Sequence, residues 1–244
     1  DISQAIAGGH FRINLHYQRG VIGLTARLIS SDIPNPEDIG LDKNLQRLAF
    51  LNDGLVLVVG ACGSGKSTTL ASLLGIVNRE RQGKIVTIEE PIEYIFKNER
   101  CLIEQREIGI DTNDFAVALK YVLRQDPNVI MVGEMRDNET MEAALTAAET
   151  GHLVFSTLHT STAVEALSRI VSSFPAYQQG QIATKLSLCL RAVISQRLLP
   201  ATAGGRVAVR EIMFNTPAIA NLLRSQKLEQ IPSIIQTSSR EGMI

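Results

Sequence analysis

Hydrophobic and polar positions divide the chain into two differently patterned parts. In residues 10–19 apolar side chains alternate with polar ones, which is typical of a strand with one buried face. A second apolar run, Val21–Ile29, follows Gly20, so this part predicts strands of a small sheet. Two prolines within residues 30–36 indicate a linker.

From residue 54 onward, nearly continuous apolar runs alternate with helical stretches. The predicted strands lie near residues 54–60, 84–90, 100–104, 128–134, 152–159 and 206–213. The predicted helices lie within residues 42–51, 65–81, 112–125, 138–150, 162–173 and 176–198, with two more within 216–238. Continuous apolar runs are typical of parallel strands buried on both faces. The alternation therefore predicts an α/β fold with a wound sheet.

Composition excludes several classes of protein. The chain has 244 residues, 45% of them hydrophobic and 20% charged, which excludes collagen, low-complexity disorder and a coiled coil. The net charge of −1 argues against a surface built for nucleic acid. No apolar run approaches the roughly 20 residues needed to cross a bilayer. Three widely spaced cysteines favour neither a disulfide framework nor a four-cysteine zinc site. Because the first residue is Asp1, we expect a fragment that lacks an N-terminal piece.

The most specific motif is a glycine-rich loop between a predicted strand and a predicted helix. Residues 60–67 read GACGSGKS and fit the pattern GxxxxGK[ST], whose backbone N–H groups surround phosphate. Lys66 is expected to reach the β- and γ-phosphates, and the Ser67 hydroxyl to bind Mg²⁺. The predicted ATP-binding residues are Gly60, Ala61, Cys62, Gly63, Ser64, Gly65, Lys66, Ser67 and Thr68.

Acidic residues and a histidine follow three other predicted strands. Glu134 comes after the run NVIMVG, and Glu89 ends the run IVTIE. Because the carboxyl ends of parallel strands meet at one edge of a sheet, both carboxylates are expected to orient water and hold Mg²⁺ beside Ser67. His159 ends a third apolar run at the same edge, where a neutral imidazole is suited to sensing the γ-phosphate. A purely structural role for His159 stays open.

These motifs, in this order, resemble the secretion ATPase superfamily and, within it, the PilT-like twitching-motility ATPases. The resemblance covers nearly the whole chain and is carried by FRINLHYQRG, LVLVVGACGSGKSTTLASLL, IVTIEEPIEYIF, QREIGIDTNDFAVALKYVLRQDPNVIMVGEMRD, TAAETGHLVFSTLHT and NTPAIANLLR. It implies a RecA-like P-loop ATPase core with a partial N-terminal α+β, PAS-like domain. The corresponding expectation is a PAS-like remnant at residues 1–33, a linker at 34–40 and the ATPase domain at 41–244.

The resemblance also implies an activity, partners and roles for individual residues. It implies a homohexameric ring at the cytoplasmic face of the bacterial inner membrane, which cleaves ATP between neighbouring subunits to drive type IV pilus retraction. The partners would be an inner-membrane platform protein and a sister extension or retraction ATPase. By resemblance, Glu89 is the catalytic glutamate, Glu134 the Walker-B glutamate, and His152 and His159 the "His box". Arg12, Arg19 and Arg27 match arginines that reach phosphates across the ring, and we expect Arg12 and Arg27 to be catalytic.

Departures from the family pattern leave alternatives open. Glu90 replaces an aspartate, a mild change, and the AIRNLIRE pattern has Ala220 and Ser225 in place of its first arginine and final glutamate. These changes leave open a PilU-like accessory motor or a non-hydrolysing scaffold, and a DotB-like type IV secretion ATPase shares the same motifs. An extension motor is disfavoured because the tetracysteine zinc module is absent. A DNA-translocating motor is disfavoured because only 5% of residues are aromatic.

Overall fold

The N-terminal part of the chain forms a small antiparallel sheet. The computed structural model describes residues 2–6, 9–29, 32–202, 204–239 and 242–243. The sheet has the order β1-β2-β3 and consists of β1 (Ile2–Ile6), β2 (Gly9–Gln18) and β3 (Val21–Ile29). The alternating pattern predicted β2 and β3 but not β1. Residues 1, 7, 8, 30 and 31 of the predicted N-terminal remnant lie outside the described residues.

The two faces of this small sheet differ in chemistry. Leu15 lies opposite Leu24 and Tyr17 opposite Ile22, and all four side chains are exposed. Because side chains alternate between faces along a strand, these four residues share one apolar face. Arg12 lies opposite Arg27 on the other face. The small sheet therefore presents a pair of arginines on one side and an apolar surface on the other.

The rest of the strands form one seven-stranded sheet with the order β10-β9-β4-β8-β7-β5-β6. All neighbours pair in parallel except β10, which is antiparallel to β9. The strands are β4 (Gly54–Val59), β5 (Gly83–Glu89), β6 (Cys101–Glu107), β7 (Val129–Val132), β8 (Leu153–Leu158), β9 (Leu190–Pro200) and β10 (Arg206–Phe214). This arrangement confirms the predicted α/β fold class with a mainly parallel sheet.

Helices cover both faces of the large sheet. They are α1 (Lys43–Gln46), α2 (Lys66–Glu80), α3 (Phe115–Val122), α4 (Asn138–Glu149), α5 (Ala163–Ser172), α6 (Ala176–Cys189), α7 (Pro217–Arg224) and α8 (Ile231–Thr237), with 3-10 turns at Arg47–Phe50 and Leu228–Gln230. The central strand β4 contributes to both cores: Leu55, Leu57 and Val59 join one cluster, and Val56 and Val58 the other. Its continuous apolar run thus reflects burial on both faces.

Short polar side chains determine where several of these helices begin. Asp114, Asp137, Thr162 and Thr216 each precede a helix, and each side chain accepts a hydrogen bond from a backbone N–H of its first turn. Such caps satisfy donors that have no partner within the helix, and each typically stabilises it by about 1 kcal/mol. Asp114 and Asp137 thereby set the first turns of α3 and α4, the helices that follow β6 and β7 along the chain.

One predicted element is wrong. The sequence pattern predicted a helix over residues 176–198, but α6 ends at Cys189 and Leu190–Pro200 forms β9. This strand lies between β4 and β10, where Val193 and Ile194 are fully buried. Hydrogen bonds to β4 and β10 satisfy the backbone groups of β9 on both sides. The local pattern of apolar residues contains no information about this pairing. The division into domains at residues 33 and 41 stays a prediction, and the described residues before 30 contain three strands and a turn but no helix.

Candidate functional site

A cavity of about 560 Å³ lies at the carboxyl edge of the parallel strands. It is lined by the glycine-rich loop after β4, by residues that follow β5, β7 and β8, and by two arginines of the small sheet. This is the edge at which open α/β sheets generally bind ligands. Most of the predicted site residues line it, namely Arg12, Arg27, Cys62, Gly63, Gly65, Lys66, Ser67, Thr68, Glu89, Glu134 and His159.

The glycine-rich loop runs from the end of β4 to the start of α2 and packs against β9. Gly65 has a φ of 87°, and a Cβ there would lie 2.7 Å from Gln196 Nε2. A Cβ on Gly60 would lie 2.3 Å from the carbonyl oxygen of Gln196. Glycine is therefore required at both positions by the close approach of β9, and at Gly65 also by the left-handed backbone. The loop opens the 15-residue helix α2, whose N-terminus favours an anion.

Lys66 is folded back onto this loop. Its Nζ donates to the carbonyl oxygens of Gly60 at 2.8 Å and Ala61 at 3.0 Å. Burial lowers the pKa of Lys66, while the charges of Cys62 and Glu134 oppose that shift. A phosphate beside the loop offers this ammonium a stronger, charged acceptor than two carbonyls. Lys66 is thus positioned to exchange its loop contacts for phosphate contacts.

Glu134 lies at the centre of a charged cluster. Its Oε2 accepts a hydrogen bond from Arg136 Nε at 2.8 Å and lies 3.4 Å from His159 Nε2. Arg136 Nη1 donates a hydrogen bond to Glu90 Oε2 at 2.6 Å. The Glu134 carboxylate raises the pKa of Arg136. The structure therefore brings together Glu134 and His159, as predicted, and adds Arg136, which the sequence analysis did not select although it follows Glu134 by two residues.

Glu89 is buried, with 6% of its surface exposed. Its Oε1 accepts hydrogen bonds from Thr87 Oγ1 at 2.6 Å and from Gln105 Nε2 at 3.2 Å. Burial raises the pKa of Glu89 to about 7, against the hydrogen bonds from Thr87 and Gln105. A carboxylate with such a pKa is suited to accept a proton near neutral pH. This is the property that the predicted catalytic role of Glu89 requires, and the role itself stays a prediction.

Gln105 joins Glu89 to the loop that follows β5. Its Nε2 also donates to the carbonyl oxygen of Tyr94 at 2.8 Å, and its Oε1 accepts from the Phe96 N–H at 2.9 Å. Tyr94 and Phe96 both line the cavity, and Tyr94 OH lies 3.0 Å from Thr68 Oγ1. The wall of the cavity beside α2 is thus fixed by a side chain on β6. Gln105 begins the stretch QREIGID that carries the family resemblance, but as an uncharged side chain on a strand it was not selected as a site residue.

Arg12 and Arg27 line the cavity from the small sheet. They form a cross-strand pair, so the register of β2 and β3 directs both side chains to one face. In this structure the two arginines line the cavity of their own chain. The resemblance implied that they reach the phosphates of a neighbouring chain in a ring, and that action stays a prediction. Arg19 lies in the turn between the two strands with a φ of 50° and does not line the cavity. Arg206, at the start of β10, lines it and was not predicted.

Four other predicted residues lie beside the cavity or away from it. Gly60 and Ala61 contribute their carbonyl oxygens to Lys66, and Ser64 is buried in the loop with no hydrogen-bond partner for its hydroxyl among the described residues. His152 precedes β8, at the opposite end from His159, and its Nδ1 lies 3.0 Å from the carbonyl oxygen of Ala147. His152 therefore supports the end of α4, and the two histidines do not act at one place.

The oxygen donors at this edge fit a magnesium ion. Ser67, Glu134 and Glu89 line one cavity and offer a hydroxyl and two carboxylates. Within the described residues no group of three His, Cys, Asp or Glu residues forms a metal cage. Mg²⁺ needs no such cage, because it is commonly held by one or two carboxylates, water and substrate phosphates. The donor set is compatible with Mg²⁺ that arrives with a nucleotide.

Comparisons with known proteins identify the family and the fold. The family model described as "Type II/IV secretion system protein" matches residues 37–213. The type IV pilus ATPase PilU of Pseudomonas aeruginosa is 46% identical over 96% of this chain and 62% of its own length. The type IV pilus retraction ATPase PilT of the same organism is 47% identical over 100% of this chain and 71% of its own. The chain thus spans about two thirds of the length of these relatives.

Solved structures resemble the whole described fold. The crystal structure of the pilus retraction motor PilT with bound ADP superimposes with a TM-score of 0.94 at 49% identity, covering 97% of this chain and 69% of that one. The ATPase DotB of Legionella pneumophila superimposes with a TM-score of 0.84 at 29% identity, covering 99% and 72%. The RecA-like ATPase fold predicted from the motifs is confirmed.

Proposed function

Because the chain belongs to the type II/IV secretion system protein family, we propose that it hydrolyses ATP to ADP and phosphate to drive retraction of a type IV pilus. The observation that carries this proposal is the single cavity that gathers the phosphate loop, two carboxylates, a histidine and an arginine pair. The likeness to a retraction motor with bound ADP supports nucleotide as the ligand.

The site residues divide the chemistry among them. The N–H groups of residues 61–67 and Lys66 bind the phosphates, since the loop opens a helix whose N-terminus is positive. Ser67 and Glu134 would hold Mg²⁺, which neutralises charge that develops on the phosphates. Glu89 takes a proton from the attacking water, because its pKa of about 7 leaves it partly ionised at neutral pH. His159 contacts the terminal phosphate from beside Glu134.

Arg12 and Arg27 complete the site from the small sheet. Guanidinium groups bind phosphate oxygens in a bidentate manner and stabilise charge in the transition state for phosphoryl transfer. Both arginines line the cavity beside the phosphate loop. A mixture of Arg12→Ala chains with Lys66→Ala chains distinguishes action within a chain from action across a ring. Recovery of ATPase activity in the mixture supports action across the ring, and no recovery in rings shown to be mixed supports action within the chain.

The mechanical role extends the proposal to partners. We propose a homohexamer at the cytoplasmic face of the inner membrane, which acts on a platform protein of the pilus and works beside a sister extension or retraction ATPase. The similarity to PilT supports this assignment. No described helix is long and apolar enough to cross a membrane. With a net charge of −1, the chain is not expected to bind nucleic acid.

A second candidate is an accessory motor, and one observation favours it. Overall identity does not separate the two roles, since PilU is 46% and PilT 47% identical to this chain. The observation is that Ala220 on α7 and Ser225 just after it replace the arginine and glutamate of the pattern associated with retraction. Ala220 is 9% exposed, and the Ser225 hydroxyl caps the helix by donating to the Asn221 carbonyl. Deletion of the gene, with and without a main retraction motor present, separates the two roles. Retraction that continues in the deletion strain supports the accessory role.

Steady-state ATPase activity of Lys66→Ala and Glu134→Ala tests the active-site assignment. We expect each to lower turnover at least about 100-fold, because Lys66→Ala removes a cation that binds the phosphates and Glu134→Ala removes a carboxylate that would hold Mg²⁺. Glu149→Ala is a matched control, since Glu149 is a half-exposed carboxylate at the end of α4 whose partner is Lys185. Turnover at the wild-type level in Lys66→Ala or Glu134→Ala contradicts the assignment.

A further inference from the structure

A buried glutamine connects the phosphate loop to the segment that leads from the small sheet. Gln196 lies on β9, next to Ser195, which pairs with Val59 at the end of β4. Only 1% of Gln196 is exposed. Its position beside Gly60 and Gly65 explains why neither residue has room for a side chain. Gln196 does not line the cavity, so the site described above assigns it no role.

The side-chain amide of Gln196 is hydrogen-bonded to three elements. Its Nε2 donates to the carbonyl oxygen of Ser64 at 2.6 Å. Its Oε1 accepts from Thr69 Oγ1 at 2.8 Å and from Arg210 Nε at 2.9 Å. This set of partners fixes the orientation of the amide, because the Ser64 carbonyl requires a donor and the Arg210 N–H an acceptor. Gln196 therefore binds both the phosphate loop and α2 on one side and β10 on the other.

Arg210 extends these hydrogen bonds to the turn at residues 35–41. Its Nη1 donates to the carbonyl oxygen of Gly40 at 2.8 Å, and its Nη2 to that of Ile39 at 2.9 Å. Within the turn, the N–H groups of Asp38, Gly40 and Leu41 donate to carbonyls three to five residues earlier. One guanidinium thus joins Gln196 to a hydrogen-bonded turn that precedes the ATPase core.

A second contact ties the same segment to the helix that follows the phosphate loop. A Cβ on Gly75 would lie 2.9 Å from Ile33 Cγ2, so the segment packs directly on α2 at a residue without a side chain. The segment that joins the arginine-bearing sheet to the core is therefore fixed at two places. Both places lead to the phosphate loop, one through α2 and the other through Gln196 and Arg210.

We propose that Gln196 is a positioning residue that couples nucleotide occupancy of the phosphate loop to the order of the turn at residues 35–41. Buried hydrogen bonds in a chain polarise one another. A change in how strongly the Ser64 carbonyl accepts its hydrogen bond from Gln196 therefore alters the strength of the hydrogen bond between Gln196 and Arg210. Because coupling of this kind is reciprocal, an ordered turn strengthens nucleotide binding. The coupling would hold Arg12 and Arg27 at the cavity, where this structure already places them, while nucleotide is bound.

Amide hydrogen exchange with and without Mg²⁺ and ADP tests this coupling. In the wild-type chain we expect ADP to slow exchange of the Asp38, Gly40 and Leu41 amides as well as of the phosphate loop. In Gln196→Met, which keeps the length of the side chain but removes its hydrogen bonds, we expect the loop to remain protected at saturating ADP and the turn to lose its ADP-dependent protection. Equal protection of the turn in Gln196→Met and wild type overturns the proposal.

A second variant breaks the same chain of contacts outside the binding site. Arg210→Met removes the bonds to the turn without touching the cavity, and we expect it to weaken ADP binding about 5-fold, at the low end of typical coupling between sites. Unchanged ADP affinity together with unchanged protection of the turn contradicts the coupling. Asn215→Leu is the matched control: it loses two hydrogen bonds, to the carbonyls of Ser187 and Leu190, and should keep both the affinity and the protection.

The inference rests on the proposed nucleotide site, and the same experiment separates the two. If the wild-type chain binds no ADP, the proposed function fails and the coupling fails with it. If wild type binds ADP, and Gln196→Met and Arg210→Met both keep full protection of the turn, only the coupling fails.

Discussion

The two sheets that enclose the cavity differ in how firmly they are held. In the seven-stranded sheet, every residue of β4 is buried, and helices pack on both faces. In the three-stranded sheet, Leu15, Ile22 and Leu24 are 51%, 69% and 60% exposed. Regions with few buried apolar contacts open at a lower free energy than a packed core does. The cavity therefore has one rigid wall and one wall whose position depends on its connecting segment.

Because of this difference, we expect the two walls of the cavity to have different functions. The rigid wall holds groups that must be fixed before substrate arrives, such as the phosphate loop and the buried Glu89. The small sheet carries Arg12 and Arg27, whose proposed role requires that their guanidinium groups reach the phosphates. A motor that couples hydrolysis to movement requires such a division, since a wholly rigid site would transmit no displacement.

The largest expected effect lies in the rigid wall, at Glu89. In Glu89→Gln the buried group keeps its size but no longer accepts a proton, so we expect kcat to fall about 10³-fold while ADP affinity changes little. Phosphate-release assays and ADP titration measure the two quantities. Glu99→Gln is the matched control, because Glu99 is an exposed carboxylate in the segment between β5 and β6. A kcat within a factor of two of wild type excludes Glu89 as the base.

The next effect concerns packing and compares the two sheets directly. Leu57 is fully buried on β4, and Leu24 is exposed on β3. Leu57→Ala should lower the free energy of unfolding by about 2–5 kcal/mol, because it removes buried methyl groups and leaves a cavity. Leu24→Ala should change it by less than about 0.5 kcal/mol. Urea unfolding followed by circular dichroism measures both, and equal losses in the two variants contradict the difference in anchoring.

A smaller effect is the pH dependence of stability that Glu89 imposes. Its pKa is about 7 in the folded chain against 4.5 for an ordinary glutamate, so between these values the folded state binds a proton that the unfolded state has released. The contribution of Glu89 to the free energy of unfolding therefore falls as pH rises from about 4.5 to about 7, and levels off above that range.

Comparison with Glu89→Gln isolates this contribution. The variant lacks the titrating group, so the difference in unfolding free energy between variant and wild type should increase with pH across this window. Urea unfolding at pH 5, 6, 7 and 8 measures the difference. A difference that stays constant from pH 5 to pH 8 means that the pKa of Glu89 is not raised.

The smallest expected effect is at the ion pairs of Arg136. Arg136 is half exposed and pairs with the half-exposed Glu90 and with Glu134, which is 15% exposed. Exposed pairs such as the one with Glu90 contribute about 0–1 kcal/mol. Arg136→Gln should therefore change the free energy of unfolding by less than about 1 kcal/mol and leave both sheets intact. Urea unfolding measures this, and a loss as large as that in Leu57→Ala would place Arg136 in the structural core.

Apart from Arg12 and Arg27, the site residues that were predicted from the sequence lie in motifs at the ends of predicted strands. The phosphate loop, Glu89, Glu134 and His159 follow four parallel strands, so topology alone places them at one edge. The roles assigned to these residues, and to Arg12 and Arg27, stay predictions until variants are measured.

Features that depend on contacts between distant segments were not predictable in this way. Leu190–Pro200 has a periodicity that suits a helix, and only its place between β4 and β10 makes it a strand. Gln196 belongs to no motif, and its partner Ser64 lies 132 residues away along the chain. Arg206 also belongs to no motif, and only the fold brings it to the cavity. His152 shares a motif with His159 but lies at the other end of β8, because a strand of six residues separates them. Local patterns carry no information about such neighbours.

The central claim is that both sheets build one hydrolytic site, and the double variant Arg12→Ala with Arg27→Ala tests it most directly. The measurement is kcat for phosphate release at saturating Mg²⁺ and ATP, with Arg19→Ala as the matched control in the turn of the same sheet. The account predicts a kcat at least about 100-fold below wild type in the double variant, with ADP binding at the phosphate loop retained, and wild-type kcat in Arg19→Ala. A double variant that hydrolyses ATP at the wild-type rate would contradict the account.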